Sequence, residues 1–249
     1  MEEKEKKNAK DNYLNKNSTK NGILSIIGAI THKLGISSIW VIANLATYVI
    51  SYHRRKDPDN EFLSLNLCYF FNPILTTTLY IFMPICGILE FKLGCQRAII
   101  LGALVIMLGY RLLYISPSIF LDFFCIFLFG IGLSISTTLS TKNAIQYFFN
   151  QRGAISGILE LISSGLSATH NKIAESMINS GGEEPNSING SDDLFYEKEI
   201  AEKVLNFFML ELGTYGISTL LTLFFLVPYD EKAAKKLSRE LKKKSYRKK

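Results

Sequence analysis

Long apolar stretches alternate with short polar segments over most of the chain. Six of these stretches are poor in charge, lack the alternating pattern of strands, and have at least about the 20 residues with which a helix crosses a bilayer. They run approximately over residues 23–50, 66–89, 98–116, 118–141, 153–178 and 204–227. Lipid offers the backbone no hydrogen-bond partners, so these stretches must be helical. The pattern predicts an all-α, polytopic membrane protein with six transmembrane helices.

Polar segments flank this predicted transmembrane domain of residues 22–228. Residues 1–21 form a polar tail without the apolar core that a cleavable signal peptide needs. Residues 229–249 form a basic tail in which apolar residues recur at helical spacing. This second tail is predicted to be an amphipathic helix, either solvated or lying on anionic lipid.

Composition and charge distribution agree with a membrane location. Hydrophobic residues make up 48% of the 249 residues, and 17 are Phe, although both ends are polar. Lys and Arg collect in the two tails and in the loops after the second and fourth predicted helices, and cytoplasmic loops carry such an excess. We therefore predict an integral, multi-pass protein with both termini in the cytoplasm. The net charge of +6 follows from this topology, and no motif points to nucleic acid as a partner.

The outer loop of residues 179–203 is polar, acidic and rich in glycine. It contains the acceptor pattern Asn189, Gly190 and Ser191, which is a glycosylation site if this face meets a secretory lumen. The alternative is a chance match, because three-residue patterns are common.

Motifs of enzyme or metal chemistry are missing from the sequence. The four cysteines lie in or beside predicted helices, with no CxxC pair and no His at metal-ligand spacing. HExxH, GxSxG and glycine-rich phosphate loops are also absent. We expect free thiols, no metal, no cofactor and no catalytic residues, so the chain is not expected to be an enzyme.

The loop after the second predicted helix has charged residues between two glycines. The glycines are Gly87 and Gly94, the charged residues between them are Glu90 and Lys92, and Arg97 follows. The loop resembles the cytoplasmic motif of the major facilitator superfamily, in which two glycines bracket a charged tight turn. The acidic residue of that motif stands one position early here, and the final basic residue one position late.

A second resemblance follows the fourth predicted helix. An aromatic pair and an Arg-Gly step lead into a glycine-rich helix, with Tyr147, Phe148, Arg152, Gly153 and Gly157. This segment is similar to the same region of the monocarboxylate and oxalate/formate carriers, a branch of that superfamily. The resemblance implies that residues 22–228 correspond to the N-terminal half of such a carrier, built from two inverted three-helix repeats. It further implies alternating-access transport of a small organic anion such as a monocarboxylate, with protons as a candidate coupling ion.

Polar residues inside the predicted spans are candidates for this function, because intramembrane charges are costly. Lys33 lies about ten residues, or roughly 15 Å, into the first helix and could attract a carboxylate substrate. Asn44 is a second candidate for substrate binding. Glu160 and Glu211 are candidate proton sites, because a carboxyl group desolvated in a bundle can exchange protons near neutral pH. The competing interpretations are snorkelling of Lys33, helix packing by Asn44 and, for each of the two carboxyl groups, a position facing a cavity or a local pairing.

Packing and pairing explain other residues of the spans. Gly153 and Gly157 form a GxxxG step that is expected to let helices approach closely. Arg111 and Asp122 flank a short outer turn and are predicted to pair.

The length of the sequence leaves open whether a second six-helix half is needed and what provides it. In the family, substrate binds between two six-helix halves, whereas this sequence provides one. The chain is therefore a fragment of a full-length carrier, a half that rebuilds the cavity as a homodimer or with a second half, or a membrane interaction protein without transport activity. The expected partners are the lipid bilayer, a small-molecule solute and this second half.

Overall fold

The structure, a computed structural model, describes residues 2–60, 62–187 and 193–229, with residues 2–18 and Phe149 as backbone only. The helices are α1 Glu2–Ile36, α2 Ile42–Lys56, α3 Cys68–Leu93, α4 Cys95–Tyr114, α5 Ile119–Gln146, α6 Arg152–Ile178 and α7 Lys198–Phe225. Short 3-10 turns occupy Ile39–Val41, Leu65–Leu67 and Phe149–Gln151. Strands β1 Asn186–Ser187 and β2 Leu194–Phe195 form a small antiparallel hairpin between α6 and α7. The fold is therefore all-α apart from this hairpin, as predicted.

Five helical stretches of the described residues are long and apolar enough to cross a membrane. They are Thr19–Lys56, Leu65–Leu93, Cys95–Tyr114, Ile119–Gln146 and Lys198–Phe225. Only 22% of the apolar window in Leu65–Leu93 is buried, so much of this apolar helix surface is uncovered. These stretches indicate an integral, multi-pass membrane protein.

Helix α6 does not belong to these five stretches. Its 27 residues would span roughly 40 Å, but it carries Glu160, His170, Lys172 and Glu175 together with several hydroxyl groups. These polar side chains lower its hydropathy below that of the five stretches, so the predicted span over residues 153–178 stays a prediction.

The first predicted span consists of two helices. Helix α1 ends at Ile36 and α2 begins at Ile42, with a 3-10 turn between them. The Ser37 hydroxyl donates to the Lys33 carbonyl at 2.6 Å, and the Ser38 hydroxyl donates to the Gly35 carbonyl at 2.7 Å. Hydroxyl groups that bind carbonyls of the preceding turn often bend a helix, and two such groups in succession lie at this break.

Helix α5 lies at the centre of the bundle and contacts α1, α3, α4 and α6. Gly102 of α4 and Gly132 of α5 mark a close crossing, since a Cβ on Gly132 would meet the Gly102 carbonyl oxygen at 2.7 Å. The largest buried apolar cluster surrounds this crossing and includes Ile106 and Phe129. Small residues thus pack α4 against α5.

Several helix ends differ from the prediction. Helix α3 continues through Gly87 to Leu93, so the turn before α4 is formed by Gly94 alone, at a φ of 83°. The assignment of Gly87 to this turn is wrong, because the residues that follow it continue the helix without a break. Helix α7 begins at Lys198, six residues before the predicted start of its span at residue 204. The acceptor Asn189 and the basic tail from residue 230 lie outside the described residues.

Candidate functional site

The ammonium group of Lys33 forms an ion pair with Glu160. Lys33 Nζ lies 2.6 Å from Glu160 Oε1, which joins α1 to α6. The lysine side chain is 1% exposed, whereas the glutamate side chain is 60% exposed. The sequence predicts separate roles for these two residues, and the structure brings them together.

Further polar contacts extend this pair along the seam between α6 and the first two helices. Ser167 Oγ donates to the Ser37 carbonyl at 3.0 Å, and Asn44 Nδ2 donates to Asn171 Oδ1 at 3.0 Å. Glu160, Ser167 and Asn171 lie at helical spacing, so one face of α6 provides all three side chains. Asn44 is exposed and lies on the same seam as Lys33, but its partner Asn171 follows Glu160 by eleven residues of α6, roughly 16 Å along the helix axis.

A second charged contact lies deeper in the bundle. His170 Nδ1 of α6 lies 2.8 Å from Glu211 Oε1 of α7, and His170 Nε2 lies 3.0 Å from the Leu34 carbonyl oxygen of α1. Both side chains are buried, with 6% of His170 and 1% of Glu211 exposed. Glu160 and Glu211, the two candidate proton sites, therefore belong to different contacts on different sides of α6.

A third contact ties the opposite end of the bundle together. His53 Nε2 of α2 lies 2.6 Å from Asp122 Oδ2 of α5, and both side chains are buried. The predicted pairing of Asp122 with Arg111 is wrong, because Arg111 lies over the ring of Tyr114 instead, 5.6 Å from its centroid. A cleft of about 360 Å³ opens beside His53, lined also by Lys56 and Asn60.

The loop that carries the first resemblance contains one cross-helix ion pair. Glu90, in the last turn of α3, pairs with Lys142 near the end of α5. Lys92 and Arg97 are exposed, and Gly94 supplies the positive φ that reverses the chain. The position of Glu90 is therefore compatible with a charge contact between helices at this surface.

The segment that carries the second resemblance lies against the end of α7. Asn143 Nδ2 donates to the Val227 carbonyl at 2.8 Å, and Tyr147 Oη donates to the Pro228 carbonyl at 3.1 Å. Arg152 and Gly153 open α6 and are exposed. The GxxxG prediction is wrong within this chain, because a Cβ at Gly153 or Gly157 would meet nothing within 4 Å.

Three functional candidates escaped the sequence analysis. His170 lies within a predicted span, so the criterion that selected Glu160 would also have selected it. His53 lies beyond the predicted end of the first span, and only the longer α2 brings it into the bundle. Lys142 was counted as a topological charge, although its partner lies 52 positions away in the sequence.

Groups of metal ligands are not found among the described residues. No group of three His, Cys, Asp or Glu side chains able to hold a metal ion occurs there. The four cysteines are free thiols, as expected, and three of them are buried.

Comparison with known proteins gives no relative: no family model, no curated protein and no solved structure matches this chain. The candidate site therefore stands on its own geometry.

Proposed function

We propose that the chain is a six-helix carrier half that transports a small organic anion, such as a monocarboxylate, by alternating access. The observation that carries this proposal is the Lys33–Glu160 pair, a buried cation whose partner carboxylate is 60% exposed on the bundle surface. A buried ammonium group attracts anions, and the exposed side of Glu160 gives them a route to it. The bundle then belongs with the carriers of the major facilitator superfamily.

The pattern of helix contacts supports two inverted three-helix repeats. In the first repeat, α1 and α2 together count as one span, followed by α3 and α4. The second repeat consists of α5, α6 and α7. Exchanging the repeats maps the α1 to α7 contact onto α5 to α4, and the α1 to α6 contact onto α5 to α3. The α3 to α4 contact likewise maps onto α6 to α7. A pseudo-two-fold arrangement predicts this correspondence.

In this proposal, α6 also crosses the membrane, as the fifth of six spans. Its polar face packs on α1 and α2, and its exposed face lines a water-filled pathway, which explains why its hydropathy is low. The excess of Lys and Arg in the tails and in the loops after α3 and α5 orients both termini to the cytoplasm.

Binding is a competition between two carboxylates for one cation. While Glu160 is ionised, it occupies Lys33, so a substrate carboxylate must displace it. A proton on Glu160 removes the competing charge and leaves the ammonium group to the substrate. Proton and anion therefore bind together.

The open face of α6 is where a second half would complete the cavity. Gly153, Gly157 and Gly165 lie on this helix, and a Cβ added at any of them would meet nothing within 4 Å. We propose that a second copy of the chain, or a second six-helix half, covers this face.

A membrane interaction protein without transport activity is the second candidate. It is favoured by the same ion pair, because a lysine held at 2.6 Å by Glu160 needs no other anion. In that case the pair serves only to hold α1 against α6.

Uptake by purified protein in vesicles separates the two candidates. We expect labelled monocarboxylate to accumulate with an inward proton gradient, and Lys33→Ala to abolish this uptake while expression stays normal. Lys172→Ala, which removes an exposed cation of α6, is the matched control and retains uptake. Absence of uptake with the unmodified chain, alone and as a dimer, supports the interaction protein; unchanged uptake in Lys33→Ala removes Lys33 from the site.

A further inference from the structure

The contact between His170 and Glu211 connects three helices at one point. We propose that these two residues form a proton-binding site, and that loss of their shared proton breaks the contact that joins α6 to α7 beside the end of α1. This proposal goes beyond transport, since it holds whether or not the chain moves a solute.

Hydrogen-bond geometry determines how many protons the pair holds. The Leu34 carbonyl oxygen only accepts hydrogen bonds, so His170 Nε2, 3.0 Å away, must carry a hydrogen. The 2.8 Å contact between His170 Nδ1 and Glu211 Oε1 then needs a second hydrogen, because two lone pairs repel each other. One proton is therefore shared between imidazole and carboxyl group, either as imidazolium with carboxylate or as imidazole with carboxylic acid.

The break between α1 and α2 explains why His170 is held in this orientation. Leu34 lies in the last turn of α1, where carbonyl groups lack the amide partners of the helix interior. His170 caps one of these carbonyls from α6. The C-terminal end of a helix also carries partial negative charge, which favours an imidazolium ion at this position.

Apart from His170, few groups around the Glu211 carboxyl group can stabilise its negative charge. Glu211 is 1% exposed, and its Oε2 has no hydrogen-bond partner among the described residues. From α4, Tyr110 faces it, but the Tyr110 hydroxyl is 2.8 Å from Ser38 Oγ. From α1, the ammonium group of Lys33 is held by Glu160. The proton shared with His170 is thus what stabilises the buried charge of Glu211.

Other ionisable groups near α7 lie farther along the helix. The His32 ring of α1 approaches Tyr215, with 6.2 Å between ring centroids. His53 of α2 pairs with Asp122 of α5 beside Val204. The His53–Asp122 pair is thus a separate contact and provides an internal control.

Removing the shared proton has a structural consequence. Neutral His170 still donates to Leu34, but its Nδ1 lone pair then faces a buried carboxylate. A buried, unpaired carboxylate is strongly unfavourable, so Glu211 must turn away or α7 must move. A second added proton leaves the contact intact, since protonated Nδ1 donates to the carbonyl oxygen of the acid. The contact is therefore present while the proton is bound and is lost as the pH rises.

Nitrogen NMR of the full chain labelled with 15N-histidine tests this directly, because the sequence contains three histidines. His170→Gln identifies the His170 signals by their loss. We expect Glu211→Gln to shift the His170 titration to lower pH by about one unit or more, since hydrogen bonds to charged groups stabilise imidazolium. Asp122→Asn, which removes the partner of His53, is the matched control and leaves the His170 titration unchanged.

An unchanged His170 titration in Glu211→Gln overturns the proposal. If Glu211→Gln does not fold, infrared spectroscopy of the unmodified chain at increasing pH replaces the NMR experiment. A common site requires imidazole and carboxyl bands to change in the same pH step. Two separate steps, or no carboxyl change with the histidine, overturn it equally.

Discussion

The unequal exposure of Lys33 and Glu160 predicts that their removal has unequal costs. Lys33→Met removes the buried cation and leaves a carboxylate that is 60% exposed, so we expect a loss of stability below about 1 kcal/mol. Glu160→Gln leaves an ammonium group that is 1% exposed without a counter-ion. Breaking a fully buried pair costs about 3–5 kcal/mol, and the open side of this pair reduces the expected loss to about 1–3 kcal/mol.

The double variant completes a thermodynamic cycle. With neither charge present, we expect stability within about 1 kcal/mol of the unmodified chain, because an apolar side chain replaces the buried cation. The coupling energy, which is the sum of the two single losses minus the loss in the double variant, is then about 2–3 kcal/mol. Unfolding in lipid–detergent micelles, titrated with a denaturing detergent, measures all four stabilities. Lys172 and Glu175 on α6 form the control pair, with 80% and 62% exposure, and should couple by less than about 0.5 kcal/mol.

Equal coupling in the two pairs would refute this reasoning, because it would mean that burial of Lys33 adds nothing. A larger loss of stability in Lys33→Met than in Glu160→Gln would also refute it, for a different reason. It would show that the exposed side of Glu160 faces lipid, where an unpaired carboxylate is costly, and not water.

Two further predictions concern α6 and the helix crossing. Ser164→Cys, on the exposed face of α6, should react with a water-soluble maleimide in membranes, whereas Ser163→Cys, at a position 6% exposed, should not; equal labelling of both would argue against a water-lined face. Gly132→Ala should lower stability by about 1–3 kcal/mol in the same unfolding assay, since its Cβ would lie 2.5 Å from Ile106 Cγ1. Gly213→Ala, where the space is open, should be neutral or slightly stabilising, and an equal loss at both would contradict the close crossing.

Hydropathy was sufficient to predict the all-α fold and most helix positions. It missed the last four residues of α3, because Glu90 and Lys92 lower the local hydropathy although the helix continues to Leu93, and it missed the break at Ser37 and Ser38 in the first span. Whether a glycine ends a helix depends on the φ angle it adopts, and Gly94 adopts a positive one whereas Gly87 does not.

Side-chain partners were less predictable than positions. Lys33 and Glu160 are both recognisable as intramembrane charges, but they lie 127 positions apart, and no local rule joins them. Asp122 was assigned to Arg111 because the two are close in sequence, whereas its partner His53 comes from another helix. Spacing along one helix predicts neighbours, but contacts between helices depend on the packing of the bundle.

Anion binding by the purified protein tests the central claim most directly. We would measure the affinity of a small aliphatic monocarboxylate by calorimetry at acidic and neutral pH. The account predicts tighter binding at acidic pH for the unmodified chain, and nearly pH-independent binding for Glu160→Gln. It predicts roughly 10- to 100-fold weaker binding for Lys33→Met, the loss expected for one charge-assisted hydrogen bond. Binding by Lys33→Met with the affinity and pH dependence of the unmodified chain would contradict the account.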